Sequence, residues 1–350
     1  MAQTAATAPP SPGPVPAQAV TARPSEWRHP TRHTYGALDL GTNNCRLLVA
    51  RPAENGFVVV DAFSRVVRLG EGLASSGRIS EAAIDRALSA LSVCADKLRR
   101  RRVSLARSVA TEACRRAVNG RQFVERVHRE TGIALDIISP EEEARLAMLG
   151  CHRLLEPGDG PALIFDIGGG STELILIDTD GVAPRIQSWW SAPWGVVSLT
   201  ESEGREFADP DERLAAYGRM RERVRHAFRR FAELLPADKQ NIRLLGTSGT
   251  VTTLASVHLA LPSYDRRAID GLKVPADSMR AISQMLSRMS LAERSQLPCI
   301  GAERADLVVA GCAILEAIMD IWPAKTLGVA DRGIREGILR SLMARDGHRL

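Results

Sequence analysis

The sequence is poor in aromatic rings. Phe, Tyr and Trp together make up 4% of the 350 residues. That leaves too few faces for the stacking platforms that bind single-stranded nucleic acid, and no nucleic-acid-binding motif is present, so no nucleic-acid partner is expected. Lysine is scarce too: of 46 Lys and Arg residues only Lys97, Lys239, Lys273 and Lys325 are lysine. No glycine loop runs into Gly-Lys-Ser/Thr, which excludes a Walker loop, and no Gly-x-Ser-x-Gly elbow occurs. The six cysteines, at 45, 94, 114, 151, 299 and 312, form no Cys-x-x-Cys pair, and the histidines are dispersed. They read as buried or free thiols in a reducing cytoplasm, not as a disulfide framework or a Cys/His metal site. No apolar run reaches membrane-spanning length, so no membrane partner is expected. The first thirty residues, rich in Ala, Pro, Thr and Ser, lack the apolar centre of a signal peptide. They are expected to form a disordered tail over 1–33.

What remains is a chain with ample core material, 45% hydrophobic, and a formal charge of +5. The positive charge is almost entirely arginine, whose planar fork matches phosphate oxygens. A mildly basic balance permits an anionic partner.

Order is expected from Tyr35. Tyr35–Leu40, Arg46–Arg51 and Phe57–Phe63 read as strands. Ser80 caps an amphipathic helix to about Arg100 on which Ile84, Leu88, Leu91, Ala95 and Leu98 fall at helical spacing. A strand at Leu105–Ala110, a helix at Asn119–Thr131 and a short strand at Leu135–Ile138 follow. Ser139-Pro140-Glu141-Glu142 predicts a helix start with Pro at N1 and a capping box closed by Glu142. After the breaker Pro157–Pro161 the pattern restarts. Ala162–Phe165 is a buried strand ending at Asp166, a glycine turn follows, and Glu173–Ile177 returns. The first unit, with Asp39 before Gly41-Thr42-Asn43, has the same layout about one domain length earlier. Later segments alternate: Asp211–Leu235, Arg243–Leu245, Thr250–Leu259, Ala276–Met289 and Ala302–Asp320. The class is α/β.

Asp166-Ile167-Gly168-Gly169-Gly170-Ser171-Thr172-Glu173 is the most informative segment. Consecutive glycines let backbone N–H groups approach an anion, Ser171 and Thr172 add hydroxyls, and Asp166 and Glu173 set carboxylates at the rim, as a hydrated Mg²⁺ held against phosphate requires. The loop at Asp39, Gly41, Thr42 and Asn43 is its weaker counterpart. Two such hairpins facing a cleft would make a phosphate clamp. Gly246-Thr247-Ser248-Gly249-Thr250 sits at a strand-to-helix junction, where a helix N-terminus favours an anion. In Glu141-Glu142-Glu143, capping explains Glu142 and the helix dipole explains Glu141. Glu143 is left without a structural task and is a candidate base. Arg115, after a strand, could reach a phosphate or lie on the surface. Trp189, Trp190 and Trp194 read as core or lobe interface.

At this point the chain resembles the Ppx/GppA family of exopolyphosphatases and guanosine pentaphosphate phosphohydrolases, within the actin-like ATPase superfold. The resemblance spans about residues 35–345. It rests on Leu38–Asn43, Ala110–Arg115, Ile138–Gly150 with its Glu-Glu-Glu-Ala-Arg core, and Phe165–Glu173. It continues through Trp194–Glu201, Gly246–Thr250, Glu303–Asp306 and Asp331–Gly337. It implies two actin-like (ribonuclease H-like) lobes around a cleft: 34–143, joined by a C-terminal helix at about 332–350, and 144–331. It also implies a Mg²⁺-dependent bacterial, cytoplasmic hydrolase of inorganic polyphosphate or of guanosine pentaphosphate, the latter an alarmone of the stringent response. The family's general base falls on Glu143, its phosphate loops on Asp39–Asn43 and Gly168–Thr172. Its metal and water-ordering acids fall on Asp166 and Glu173, and its phosphate-gripping arginine on Arg115.

The chain departs from the family pattern at Thr42 and Asn44, and at Ser248, where the family usually has glycine. It stops near where the short members stop, without the helical extension that helps long members hold polyphosphate. A homodimer is left open. An actin-fold kinase, which would bind adenosine near Gly246–Thr250, and a non-hydrolytic alarmone sensor are the alternatives. Three acids at 143, 166 and 173 argue against a sensor, because a pure polyanion binder has no use for them.

Overall fold

The structure is a computed structural model. It describes residues 33–348 apart from 55, 156–160, 180–183, 204–206 and 236–242. The expected tail, except His33, and the breaker at 157–161, except Pro161, lie outside the described residues.

Two sheets carry the chain. The first comprises β1 (Tyr35–Leu40), β2 (Asn44–Ala53), β3 (Gly56–Val66), β4 (Leu105–Ala110) and β5 (Leu135–Ile137), in the order β3-β2-β1-β4-β5. Its helices are α1 (Leu73–Ser76), α2 (Glu81–Arg100), α3 (Glu112–Arg116) and α4 (Gly120–Thr131). α5 (Pro140–Cys151) leads to the second sheet: β6 (Ala162–Ile167), β7 (Thr172–Asp178), β8 (Arg185–Ala192), β9 (Arg243–Thr247), β10 (Lys273–Pro275) and β11 (Thr326–Ala330), ordered β10-β11-β9-β6-β7-β8. Around it lie α6 (Val196–Glu203), α7 (Pro210–Glu233), α8 (Gly249–His258), α9 (Arg266–Ile269), α10 (Ala276–Arg288), α11 (Leu291–Ser295) and α12 (Val308–Ile321). α13 (Ile334–Arg345) closes the chain.

The sheets repeat one another. In each, an antiparallel meander (β1-β2-β3; β6-β7-β8) is flanked on the β1 or β6 side by parallel strands. β1 and β6 are apolar nearly throughout because both of their faces are covered. Each carries a single acid, one residue before its end. Register pairs Asp39 with Arg46 and Asp166 with Glu173.

Three cores hold the fold. One packs the outer face of the first sheet on α2 and α4, through Leu47, Leu91 and Phe123. One fills the second lobe around α12, where Trp322 meets Phe228 and Phe231. The third lies between the sheets. There Leu146 and Ala147 of α5 and Ile338 and Leu342 of α13 are buried against Ala37 and Leu48 on one side and Ile164 and Ile175 on the other. α5 therefore runs through the boundary expected at 143/144, and α13 packs on β1 as well as on α5.

Local chemistry follows the sequence in most places. Ser80 and Ser139 accept from Ala83 N and Glu142 N as helix caps. The expected capping box at Ser139 is only half made, because the Glu142 carboxylate turns away to Arg107 (2.7 Å) and Arg145 (2.7 Å). The helix expected from Ala302 begins at Val308. Gly301 adopts φ 66, and residues 302–307 wind as turns. Trp190 and Trp194 pack on the second-lobe core and Trp189 on the core between the sheets.

α5 and α13 cross backbone to backbone. A Cβ on Gly337 would overlap the Leu146 carbonyl, and one on Gly150 would overlap that of Gly333. Gly337→Ala should force the helices apart and lower Tm by several degrees, an overpacking cost of about 1–3 kcal/mol. Gly218→Ala in α7, where an added Cβ meets nothing within 4 Å, should instead be neutral or slightly stabilising. Thermal unfolding of the two variants side by side checks the contrast.

Candidate active site

The hairpins after β1 and β6 fold alike. Gly41 N donates to Asn44 O (2.9 Å) and Gly168 N to Ser171 O (3.0 Å). The two loops meet across the cleft. A Cβ on Gly169 would lie 2.9 Å from Thr42 Cβ, and one on Gly170 would lie 2.8 Å from Thr42 Oγ1. Any side chain at 169 or 170 would push the loops apart.

Below the loops lie the acids. Burial and the nearby Asp39 raise Asp166 to about 6, against the pull of Arg46. Asp39 itself is pushed up by burial, and its Oδ1 is buried without a hydrogen-bond partner. Glu173 is raised to about 7 by burial and then by Asp166. It accepts from Ser171 Oγ (2.7 Å) and Ser191 Oγ (2.9 Å), which partly offset that rise. Glu143, in the first turn of α5, is 6% exposed. Burial and the Glu173 charge push it well above the ordinary carboxylate range, and Arg115, donating to its Oε2 at 2.7 Å, opposes them.

The opposite sign gathers on the same cleft wall. Arg46, Arg304 and Arg335 all line it. Arg46 is depressed by burial first and then by Arg335 and Arg304. Among the described residues none of the three has a carboxylate within ion-pair distance, whereas Arg332 beside them is bound to Asp270 at 2.6 Å.

The third loop joins β9 to α8. Ser248 takes φ 85 and ψ −177 and donates to Ile167 O at 2.6 Å. Thr247 donates to Arg332 O at 2.5 Å. Gly249 and Thr250, at the N-terminus of α8, face the cleft.

Most residues expected from sequence line this one cleft. From the first loop these are Asp39, Gly41, Thr42 and Asn43, and from the second Asp166, Gly168–Ser171 and Glu173; Glu143, Thr247, Ser248 and Gly249 join them. Three are placed elsewhere. Thr172, fully buried, donates to Trp194 O (2.7 Å), because strand alternation turns it away from its neighbour Glu173. Gly246 lies inside β9 against the Phe165 ring. Arg115 is absent from the cleft lining and donates to Glu112 (2.9 Å), Glu143 (2.7 Å) and Ile138 O (2.9 Å), which places it behind Glu143. The sequence reading missed Arg46, Arg304 and Arg335. Arg46 was within reach: it stands as far beyond Asp39 as Glu173 stands beyond Asp166.

Duplicated lobes of actin type, with glycine-rich loops apposed over buried carboxylates, fit a two-lobed phosphoanhydride hydrolase. The model of the Ppx/GppA phosphatase family matches residues 48–346. Exopolyphosphatase 2 of Mycobacterium tuberculosis is 32% identical over 322 residues, covering 87% of this chain and 97% of the relative. The crystal structure of the Aquifex aeolicus Ppx/GppA family member superposes with a TM-score of 0.73 at 27% identity, over 91% of this chain and 99% of that one. An exopolyphosphatase from Cytophaga hutchinsonii, 24% identical, shares the fold with a TM-score of 0.79 over 91% and 99% of the two chains. The chain belongs to the Ppx/GppA phosphatase family.

A non-glycine residue held at Ser248's dihedrals carries backbone strain of about 1–3 kcal/mol. Ser248→Ala should lower Tm, since it loses the bond to Ile167 O and keeps the strain. Ser248→Gly, which sheds the strain with the bond, should be the more stable of the two variants in thermal unfolding.

Proposed function

We propose that this protein is a Mg²⁺-dependent exopolyphosphatase that releases terminal orthophosphate from inorganic polyphosphate. The observation that carries the reading is the charge gathered in one cleft: Arg46, Arg304 and Arg335, which among the described residues have no carboxylate within ion-pair distance, line it together with Asp39, Asp166, Glu173 and Glu143. A polyanion answers the arginines, and its terminal phosphate then meets the acids. Among the described residues no aromatic ring lines the cleft. That favours inorganic polyphosphate over guanosine pentaphosphate, whose base would find no stacking partner there.

Among the described residues no three Asp, Glu, His or Cys side chains form a cage for a metal. Mg²⁺ seldom uses one: it takes one or two carboxylates and fills the remaining positions with phosphate oxygens and water. The orphaned buried Oδ1 of Asp39 and the crowded acids beside it fit that demand. Asp166 and Glu173 would hold the ion, with Asp39 beside them. Once bound it would neutralise charge on the transferring phosphoryl oxygens.

The chain's own residues do the rest. Glu143 accepts a proton from water as the water oxygen attacks the terminal phosphorus. The bridging P–O bond breaks, and its electrons leave with the shortened chain. A base lifted by burial above the ordinary carboxylate range suits this task. Arg115 holds the carboxylate in place. The loop amides and the three arginines stabilise charge on the phosphoryl group. A bacterial cytoplasmic setting is part of the same reading. Among the described residues no helix is long and apolar enough to cross a membrane, and the six thiols are unpaired.

The test is phosphate release with Mg²⁺ from long polyphosphate, short polyphosphate and guanosine pentaphosphate. Release is expected from polyphosphate, falling by about 10²–10⁴-fold in Glu143→Gln while polyphosphate binding persists. Release from the nucleotide alone would move the protein to alarmone conversion, and undiminished release by the variant would remove Glu143 as the base. Arg115 favours the Glu143 carboxylate over its protonated form, so Arg115→Met should raise Glu143 further. The acid limb of kcat/KM should then move to higher pH, read from a pH–rate profile.

A further inference from the structure

The stretch that leaves β3 belongs to the first lobe and holds on to the second. Val67 N and Arg68 N donate to Asn43 O (2.8 and 3.0 Å), and Gly70 N donates to Thr42 O (2.9 Å). Three main-chain bonds thus lace residues 67–70 to the first phosphate loop. Two further contacts reach across. Arg68 Nη1 donates to Asp306 Oδ2 at 2.8 Å, and Gly72 N donates to Glu201 Oε1 at 2.8 Å. Asp306 lies in the turns at 301–307 that also bring Arg304 to the cleft wall. Its other oxygen, Oδ1, is buried without a hydrogen-bond partner. Arg68 is the cation paired with this carboxylate, and with both side chains about a third exposed (35% and 29%) the pair adds little to stability and chiefly fixes geometry.

The backbone at Arg68 adds an independent sign. It takes φ 47, in the left-handed region. Glycine holds that region freely, as Gly72 and Gly77 do in the same stretch at φ 71 and φ 68. An arginine there is strained, and the contact that offsets the strain is made by its guanidinium on the other lobe.

We infer that Arg68 and Asp306 are positioning residues for phosphoanhydride hydrolysis: their ion pair clasps the lobes and sets the first phosphate loop and Arg304 at one fixed separation. Neither residue touches substrate. Arg68 acts through Thr42 and Asn43, and Asp306 acts through the turn bearing Arg304. Opening the clasp leaves the acids and Glu143 untouched but lets the two phosphate-holding groups drift apart. Substrate binding then suffers more than the chemical step. The kinetic part of this inference rests on the function proposed above; the structural part rests on the contacts alone.

The decisive variant is Arg68→Gly, which removes the ion pair and relieves the backbone. Its Tm should equal or exceed that of the wild type. The KM for polyphosphate should rise about tenfold, as for a lost charge-assisted contact, with kcat changed far less. Arg68→Lys should recover much of the loss, and Asp306→Asn should reproduce it. The reversal pair Arg68→Asp with Asp306→Arg should bring KM back below that of either single reversal. Amide hydrogen exchange at residues 41–44 without substrate should quicken in Arg68→Gly. This readout needs no turnover, so a wild type that releases no phosphate would defeat the proposed function and still leave the clasp tested. Wild-type KM and exchange in Arg68→Gly, or a reversal pair no better than its singles, would overturn it.

Discussion

Everything in the cleft depends on how closely α5 and α13 cross. With glycine at 150, 333 and 337, the two helices touch through backbone atoms and fill the space between the sheets as one slab. Van der Waals contact of this kind is stiff, since interiors packed at crystal density do not yield smoothly. The slab fixes how far apart the sheets stand. Because Glu143 is in the first turn of α5 and Asp166 and Glu173 end strands of the second sheet, it also fixes how near these carboxylates come to each other. The raised proton affinities of Glu143 and Glu173 are thus set by helix packing at some remove from any ligand.

The balance of charge follows from the same geometry. Four acids crowded and buried would be costly if all were ionised, and the fold answers in three ways. Arg115 neutralises Glu143, two serine hydroxyls donate to Glu173, and Arg46 stands opposite Asp39. What the fold does not do, among the described residues, is bring a carboxylate within ion-pair distance of Arg46, Arg304 or Arg335. The site thus holds more charge of both signs than its own close contacts neutralise. This arrangement is stable enough to fold and still leaves much of the electrostatic demand to be met from outside.

How much of this could be read from the sequence depended on how local the signal was. β1 and β6 were legible because a strand buried on both faces, ended by Asp and a glycine turn, has few other readings. Glu143 stood out once capping had accounted for its neighbours. β8 was missed because Arg185–Ala192 is an edge strand of mixed polar and aromatic residues without clean alternation. The stretch 302–307 has helix-forming composition, yet Gly301 in the left-handed region sends it into turns. Thr172 and Gly246 were placed in the site for their chemistry, although the two-residue period of a strand turns Thr172 away from Glu173. The fate of Arg115 was hidden for a different reason. Glu112 is a local partner three residues earlier in α3, but Glu143 comes from α5, and only tertiary structure brings that second carboxylate to it. Arg304 and Arg335 sat within recognised motifs but had no periodicity to betray which way they point.

The duplicated hairpins carry one broken symmetry with a consequence for direction. At matching positions opposite Asp39 and Asp166 the first lobe has an arginine and the second a glutamate. A duplicated clamp with like residues in both halves would present the same chemistry to the two sides of a bound phosphate. Exchanging the sign at a single position gives the cleft a head and a tail. On the function proposed above, a thread of identical negative units would then meet unlike walls at its first unit, which is what singles that unit out.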